Sequence, residues 1–178
     1  LVCLDTRTNK IKWQQDDLVG ELGTDKQGIF TLFVDRDNDI WMYSPLGIWV
    51  YNPEQEKWLS WLTNIIKRRS HNMVRAVSQD KQGRIWIGTD QDGIDILDKK
   101  TGEVRQLRNK AGDERSLQNN TVMVLYEDSS ETMWVGTYKK GISYFNECAF
   151  KFGAEYIGDI SCIEEDKEGY VWLGTNDV

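Results

Sequence analysis

The residues that could do chemistry are few, and their spacing does not suit catalysis. His71 is the only histidine in 178 residues, and it lies in the polar stretch Lys67-Arg68-Arg69-Ser70-His71-Asn72. Covalent catalysis needs a Ser, Cys or Lys beside an activating base, and no such elbow is present. Asp35, Asp37 and Asp39 have the alternating spacing of a calcium loop. Ile40, however, stands where that loop needs glycine, and Leu46 where it needs a bidentate glutamate. A hairpin turn is the better reading, and neither a metal nor a cofactor is expected. Three cysteines leave at least one unpaired within a monomer. Cys3 and Cys162 occupy small apolar strand positions and Cys148 a loop; a Cys3 to Cys162 bridge requires the two ends of the chain to pair.

Composition narrows the classes further. With 29 acidic against 22 basic side chains, net charge −7, the chain is not a nucleic-acid binder or a polybasic membrane surface. Mean hydropathy is −0.58, and no apolar run approaches the roughly 18 residues of a membrane helix. The opening Leu1-Val2-Cys3-Leu4-Asp5 has neither the basic nor the apolar region of a signal peptide.

The elements that must position any site are set by a repeat. Trp41, Trp86, Trp134 and Trp172 recur at intervals of roughly 40 to 50 residues, a spacing typical of repeat architectures. Each Trp lies six residues after an aspartate, Asp35, Asp80, Asp128 or Asp166, and three of the four are followed by Gly-Thr. A second block follows in Gly47-Ile48-Trp49-Val50-Tyr51-Asn52, Gly93-Ile94-Asp95-Ile96-Leu97-Asp98 and Gly141-Ile142-Ser143-Tyr144-Phe145-Asn146. Short apolar runs separated by Asp-x-x-Gly and Thr-Gly turns, without helical periodicity, predict four-stranded antiparallel meanders. Asn38 and Glu131 replace the turn glycine in two copies, so those turns are expected to be looser. The fold class is all-β, built of β-propeller blades and amounting to about four blade equivalents. Residues 1–13 form an outer half-blade, 29–59, 72–108 and 120–152 whole blades, and 156–178 an inner half-blade. The four repeated Trp are expected to be structural plates between blades.

Loops of a meander alternate sides, so the loop after Trp-x-Gly-Thr and the interblade linker emerge together and converge across blades. The candidate ligand contacts are therefore Asp90, Gln91, Asp92, Tyr138, Lys139 and Lys140, with His71, Asn72, Asn119 and Asn120 from the linkers. Amides, carboxylates and an exposed aromatic suit sugar hydroxyls and sugar ring faces. The competing reading is that these are simply polar loop tips. Trp13, Trp49 and Trp61 lie off the repeated position, and Trp49 could stack on a sugar or pack on the neighbouring blade.

The stretch Asp80 to Asp98, with the linker Gly112 to Val122, resembles the two-component regulator propeller repeat. That resemblance implies a piece of a seven-bladed propeller in the extracytoplasmic, periplasmic sensor of a hybrid histidine kinase. It also implies a non-enzymatic segment whose ligand is an oligosaccharide from complex glycans. The partners expected are that oligosaccharide, further blades or domains of the same protein, and a second copy in a homodimer, with no nucleic acid. A protein-interaction scaffold is the alternative. A propeller lyase is a further one, since the repeats are also loosely similar to streptogramin lyases.

Overall fold

The computed structural model describes residues 1–14, 29–69, 73–146 and 151–175, with side chains throughout except at 67–69 and 151–154. His71, Asn72 and Cys148 lie outside the described residues. Strands β1 (Val2–Asp5) and β2 (Lys10–Gln14) form a two-stranded antiparallel sheet. Three four-stranded meanders follow. The first comprises β3 (Thr31–Val34), β4 (Ile40–Ser44), β5 (Gly47–Asn52) and β6 (Lys57–Trp58). The second comprises β7 (Val74–Gln79), β8 (Ile85–Thr89), β9 (Ile94–Leu97) and β10 (Val104–Leu107). The third comprises β11 (Val122–Glu127), β12 (Met133–Thr137), β13 (Gly141–Asn146) and β14 (Lys151–Glu155). A final pair, β15 (Ile160–Glu165) and β16 (Val171–Thr175), is again two-stranded. The repeated register Trp41↔Val50, Trp86↔Ile96 and Trp134↔Tyr144 places each Trp on the second strand of its sheet, opposite the third.

Apolar side chains on both faces of the sheets join neighbours into a stack. Trp41 is fully buried in a cluster that contains Val74, Val77, Ile85, Ile87 and Leu97 of the next sheet. Trp86 is likewise packed with Val122, Leu125, Met133 and Val135 of the sheet after it. Trp134 packs against Ile160, Ile163, Val171 and Leu173. Removing an indole of about 200 Å² from water at about 25 cal/mol per Å² is worth about 5 kcal/mol before ordering costs, so these plates dominate the interblade energetics. Trp172 breaks the series: it is 65% exposed, and no sheet among the described residues covers it.

Glycine in Trp-x-Gly-Thr has a packing role. A Cβ on Gly88 would lie 2.6 Å from Val122 Cγ1, and one on Gly136 would lie 2.8 Å from Ile160 Cβ. Val122 and Ile160, the first apolar residues of β11 and β15, thus seat in sockets that glycine leaves open.

Three expectations need correction. The linker after β6 carries a helix, α1 (Ser60–Arg69). Its Leu62 and Ile66, with Leu59 just before it, are buried in the Trp41 cluster, while Trp61 stays half exposed. Leu59, Leu62 and Ile66 span only about two turns, too short a period to stand out among polar neighbours. The turns at Asn38 and Glu131 are not looser either. Both residues take the left-handed backbone, φ 62° and 65°, as Gly83 and Gly169 do in the other copies, and the same backbone hydrogen bonds close all four turns. Because the turn is fixed at other points, the side chain accepts the cost of that conformation. A Cys3 to Cys162 bridge is also excluded. Both are free and exposed, and their strands belong to separate sheets.

Candidate functional site

One face of the stack is made of the aspartate turns. In each, one carboxylate oxygen accepts the indole N–H of the Trp six residues on. The distances are 2.8 Å for Asp35 and Trp41, 2.8 Å for Asp80 and Trp86, 2.7 Å for Asp128 and Trp134, and 2.7 Å for Asp166 and Trp172. The other oxygen accepts the backbone N–H four residues on, from Asp39, Arg84, Thr132 and Tyr170. One aspartate therefore fixes both the turn and the Trp rotamer. Burial works against the Asp128 carboxylate, but hydrogen bonds from Trp134, Thr132 and Ser130 outweigh it and hold its pKa below the ordinary value.

These turns also clamp sheet to sheet. The residue after each aspartate donates its backbone N–H to the side chain that precedes the next aspartate: Arg36 to Gln79 Oε1 at 2.8 Å, Lys81 to Glu127 Oε1 at 2.8 Å, and Ser129 to Glu165 Oε2 at 2.8 Å. Burial raises the pKa of Glu127 above the ordinary carboxylate value, partly offset by that Lys81 N–H. The triad with calcium-loop spacing has a protein cation of its own. Lys99 Nζ, from the turn between β9 and β10, donates to Asp35 at 2.5 Å, Asp37 at 2.8 Å and Asp39 at 2.8 Å. Burial disfavours the Lys99 ammonium, but the three carboxylates more than compensate, so its pKa is raised, while that of Asp37 is lowered by its bond to Lys99.

The opposite face carries the sequence-derived candidates, and most of them hold loops together. Asp90 accepts from Arg75 at 2.7 Å and from Thr121 at 3.2 Å, and its own N–H bonds Met73 O. Asp92 accepts from Arg108 at 2.8 Å. Asn119 Nδ2 donates to Tyr138 O at 2.7 Å, and Asn120 Oδ1 accepts the Asn109 N–H at 2.7 Å. The Lys139 N–H donates to Asp159, and the Lys139 ammonium sits 5.1 Å from the Tyr138 ring centre. The structure thus joins Asp90, Asn119, Asn120 and Tyr138 into one patch that bridges the second and third four-stranded sheets. What this patch offers to solvent is the half-exposed Tyr138 ring, with Gln91 and Lys140 exposed beside it. Trp49 is not a stacking surface: it is buried, edge-on to Phe30, and Trp13 stacks on Tyr51 at 4.9 Å.

Sequence reasoning missed the recesses of the aspartate-turn face. A cavity of about 260 Å³ lies between the second and third sheets, lined among others by Gln82, Arg84, Glu127 and Glu131, with Trp86 and Phe145 at its wall. Another of about 290 Å³, between the first and second sheets, is lined by Arg36, Lys81, Lys99 and Lys100 among others. The recurrence of aspartate turns was the signal that could have located them.

Comparison with known proteins agrees with this architecture. The family model of the two component regulator propeller matches residues 69–91, 116–139 and 157–177. No curated protein matches the sequence. The fold superposes on the extracellular domain of a protein described as a hybrid two component system of B. thetaiotaomicron, with TM-score 0.70 and 24% identity over 98% of this chain and 23% of that one. It also superposes on PorZ, a surface component of the type-IX secretion system of Porphyromonas gingivalis, with TM-score 0.66 and 12% identity over 97% of this chain and 27% of that one. Virginiamycin B lyase of Staphylococcus aureus gives TM-score 0.65 and 12% identity over 97% of this chain and 55% of the lyase. The chain therefore spans about a quarter of the first two proteins and about half of the lyase. The three segments matched to the two component regulator propeller carry the aspartate turns, Trp plates and Trp-x-Gly-Thr strands described above, and it is this repeat that the chain resembles.

Proposed function

We propose that this chain is part of the extracytoplasmic sensor of a hybrid two-component regulator and that its ligand is an oligosaccharide. The observation that carries the reading is the linker face. There, loops of two adjacent sheets are tied by Asn119 and Asp90 around the exposed Tyr138 ring, flanked by Gln91 and Lys140. A flat ring with an amide and an ammonium beside it offers a stacking surface and directional donors to a pyranose. Because the loops are pre-tied, little ordering cost falls on binding. Ligand bound across adjacent blades would bias their relative arrangement and so a signalling state of the whole protein. A catalytic reading is less well supported. The related lyase structure is described as inactive when one histidine is replaced, whereas this chain's single histidine lies in an interblade linker.

Calorimetric titration of the intact extracytoplasmic region with neutral, acidic and amino oligosaccharides tests the proposal. Binding by one class, weakened about tenfold by Tyr138→Ala, is the expected result, since an aromatic contact is worth about 0.5 to 1.5 kcal/mol beyond its area burial and about 1.4 kcal/mol is tenfold in affinity. Absence of heat across the panel contradicts it.

A further inference from the structure

The loops that follow Trp-x-Gly-Thr in the second and third sheets share one backbone and carry opposite charge. Asp90-Gln91-Asp92-Gly93 matches Tyr138-Lys139-Lys140-Gly141 residue for residue. Gln91 and Lys139 both take the left-handed backbone, φ 79° and 54°, and so do Gly93 and Gly141, φ 79° and 69°. The first N–H of each loop donates to the carbonyl just before the inner strand, Met73 O in one and Thr121 O in the other.

The second sheet neutralises its own loop. Arg75 holds Asp90 at 2.7 Å and Arg108 holds Asp92 at 2.8 Å, and the two carboxylate side chains are only 14% and 20% exposed. The third sheet has different residues at the positions of both arginines. By the shared register of the inner strands, Met123 stands where β7 has Arg75. Tyr156 stands where the second sheet has Arg108: a Cβ on Gly93 would lie 3.3 Å from Arg108 Cγ, and one on Gly141 would lie 2.8 Å from Tyr156 Cα. Tyr138, 43% exposed, thus precedes the exposed Lys139 and Lys140, and Tyr156, 73% exposed, stands beside the glycine that follows them. Asp159 accepts the Lys139 backbone N–H, and no ion pair among the described residues involves Lys140.

We propose that the ligand of this face is an acidic oligosaccharide, carrying carboxylate or sulfate groups. Its rings lie against Tyr138 and Tyr156, and its charge meets Lys140 and Lys139. The inference rests on the reading of the linker face as a saccharide site. A neutral sugar gains only the rings and hydrogen bonds. An amino sugar needs a carboxylate, and Asp90 and Asp92 already hold guanidinium groups. The net charge of −7 repels an acidic ligand at long range, but that field is screened beyond about 8 Å at physiological salt, so the lysines beside the bound ligand decide.

Calorimetric titration of the intact extracytoplasmic region with matched pairs tests this. Oligogalacturonates and their methyl esters probe a carboxylate, sulfated galactan oligosaccharides and their desulfated forms probe a sulfate, and maltose and chitosan oligosaccharides supply the neutral and amino controls. The expected result is binding by an acidic member, at least tenfold weaker once its charge is removed and weaker as salt rises. Lys139→Met and Lys140→Met are each expected to weaken it about three- to fivefold, with circular dichroism checking the fold. A neutral or amino oligosaccharide that loses affinity in Tyr138→Ala but not in either lysine variant overturns the acidic ligand and leaves the saccharide face standing. An acidic oligosaccharide bound equally by both lysine variants also overturns it. Absence of heat across all pairs and controls overturns both readings.

Discussion

Asp80 Oδ2 accepts the indole N–H of Trp86 at 2.8 Å while Asp80 Oδ1 accepts the Arg84 N–H at 2.8 Å, so a single buried carboxylate sets a turn and orients the plate on which the next sheet packs. Removing it leaves a buried indole donor and a backbone donor without an acceptor. Asp80→Ala is expected to cost about 3 kcal/mol, at about 1 to 3 kcal/mol per unsatisfied donor. Denaturant unfolding measures this. Asp166→Ala removes the same pair where Trp172 is exposed, and its effect on stability is expected to be clearly smaller.

Gly88 tests the socket. Alanine there brings Cβ within 2.6 Å of Val122 Cγ1, so Gly88→Ala is expected to destabilise by about 1 to 3 kcal/mol. Val122→Ala should partly rescue it by vacating the space. A double-mutant cycle would then show a coupling of at least about 0.5 kcal/mol.

Lys99→Met leaves Asp35 and Asp39, both buried, with their charges uncompensated by the ammonium. Breaking such a buried network from one side is expected to cost about 3 to 5 kcal/mol, which thermal and denaturant unfolding would register. Lys99→Arg keeps the charge and is expected to cost less.

The pH dependence follows from the same groups. Asp37 and Asp128 are held below their ordinary pKa of 3.8 in the folded chain. Their contribution is complete above that value and is lost as pH falls through their folded pKa values. Lys99 has its pKa raised, so its contribution is complete below the ordinary lysine value and is lost only as pH rises beyond it. Stability measured by denaturant at a series of pH values is therefore expected to be flat with respect to these three groups from about pH 5 to 9 and to fall below about pH 4. Lys99→Met is expected to lose the alkaline limb attributable to Lys99.

How much of this was legible in the sequence depends on range. Strands, turns and blade order follow from local patterns: the interval from Asp80 to Trp86, the Gly-Thr after the Trp and the Asp98 turn each act within a few residues. Long-range relations were not legible. Lys99 meets Asp35 across 64 residues of chain, and its homologous positions in the other sheets hold different residue types. The role of Gly88 depends on Val122 in the next sheet. At the candidate site, Asp90, Asp92, Asn119 and Asn120 were selected by residue type and loop position, which cannot distinguish a ligand contact from a loop staple. Their hydrogen bonds tie the loops together, and Tyr138, Gln91, Lys139 and Lys140 are the exposed residues of the patch.

The central claim is that ligand is read by the loop face around Tyr138. Hydrogen–deuterium exchange of the intact extracytoplasmic region, with and without a bound oligosaccharide, tests it most directly. The account predicts new protection in residues 89–93, 119–121 and 138–141, and none in the turns at 80–84 and 128–132. Protection confined to those aspartate turns, beside the cavity lined by Trp86, Glu127 and Phe145, would contradict it.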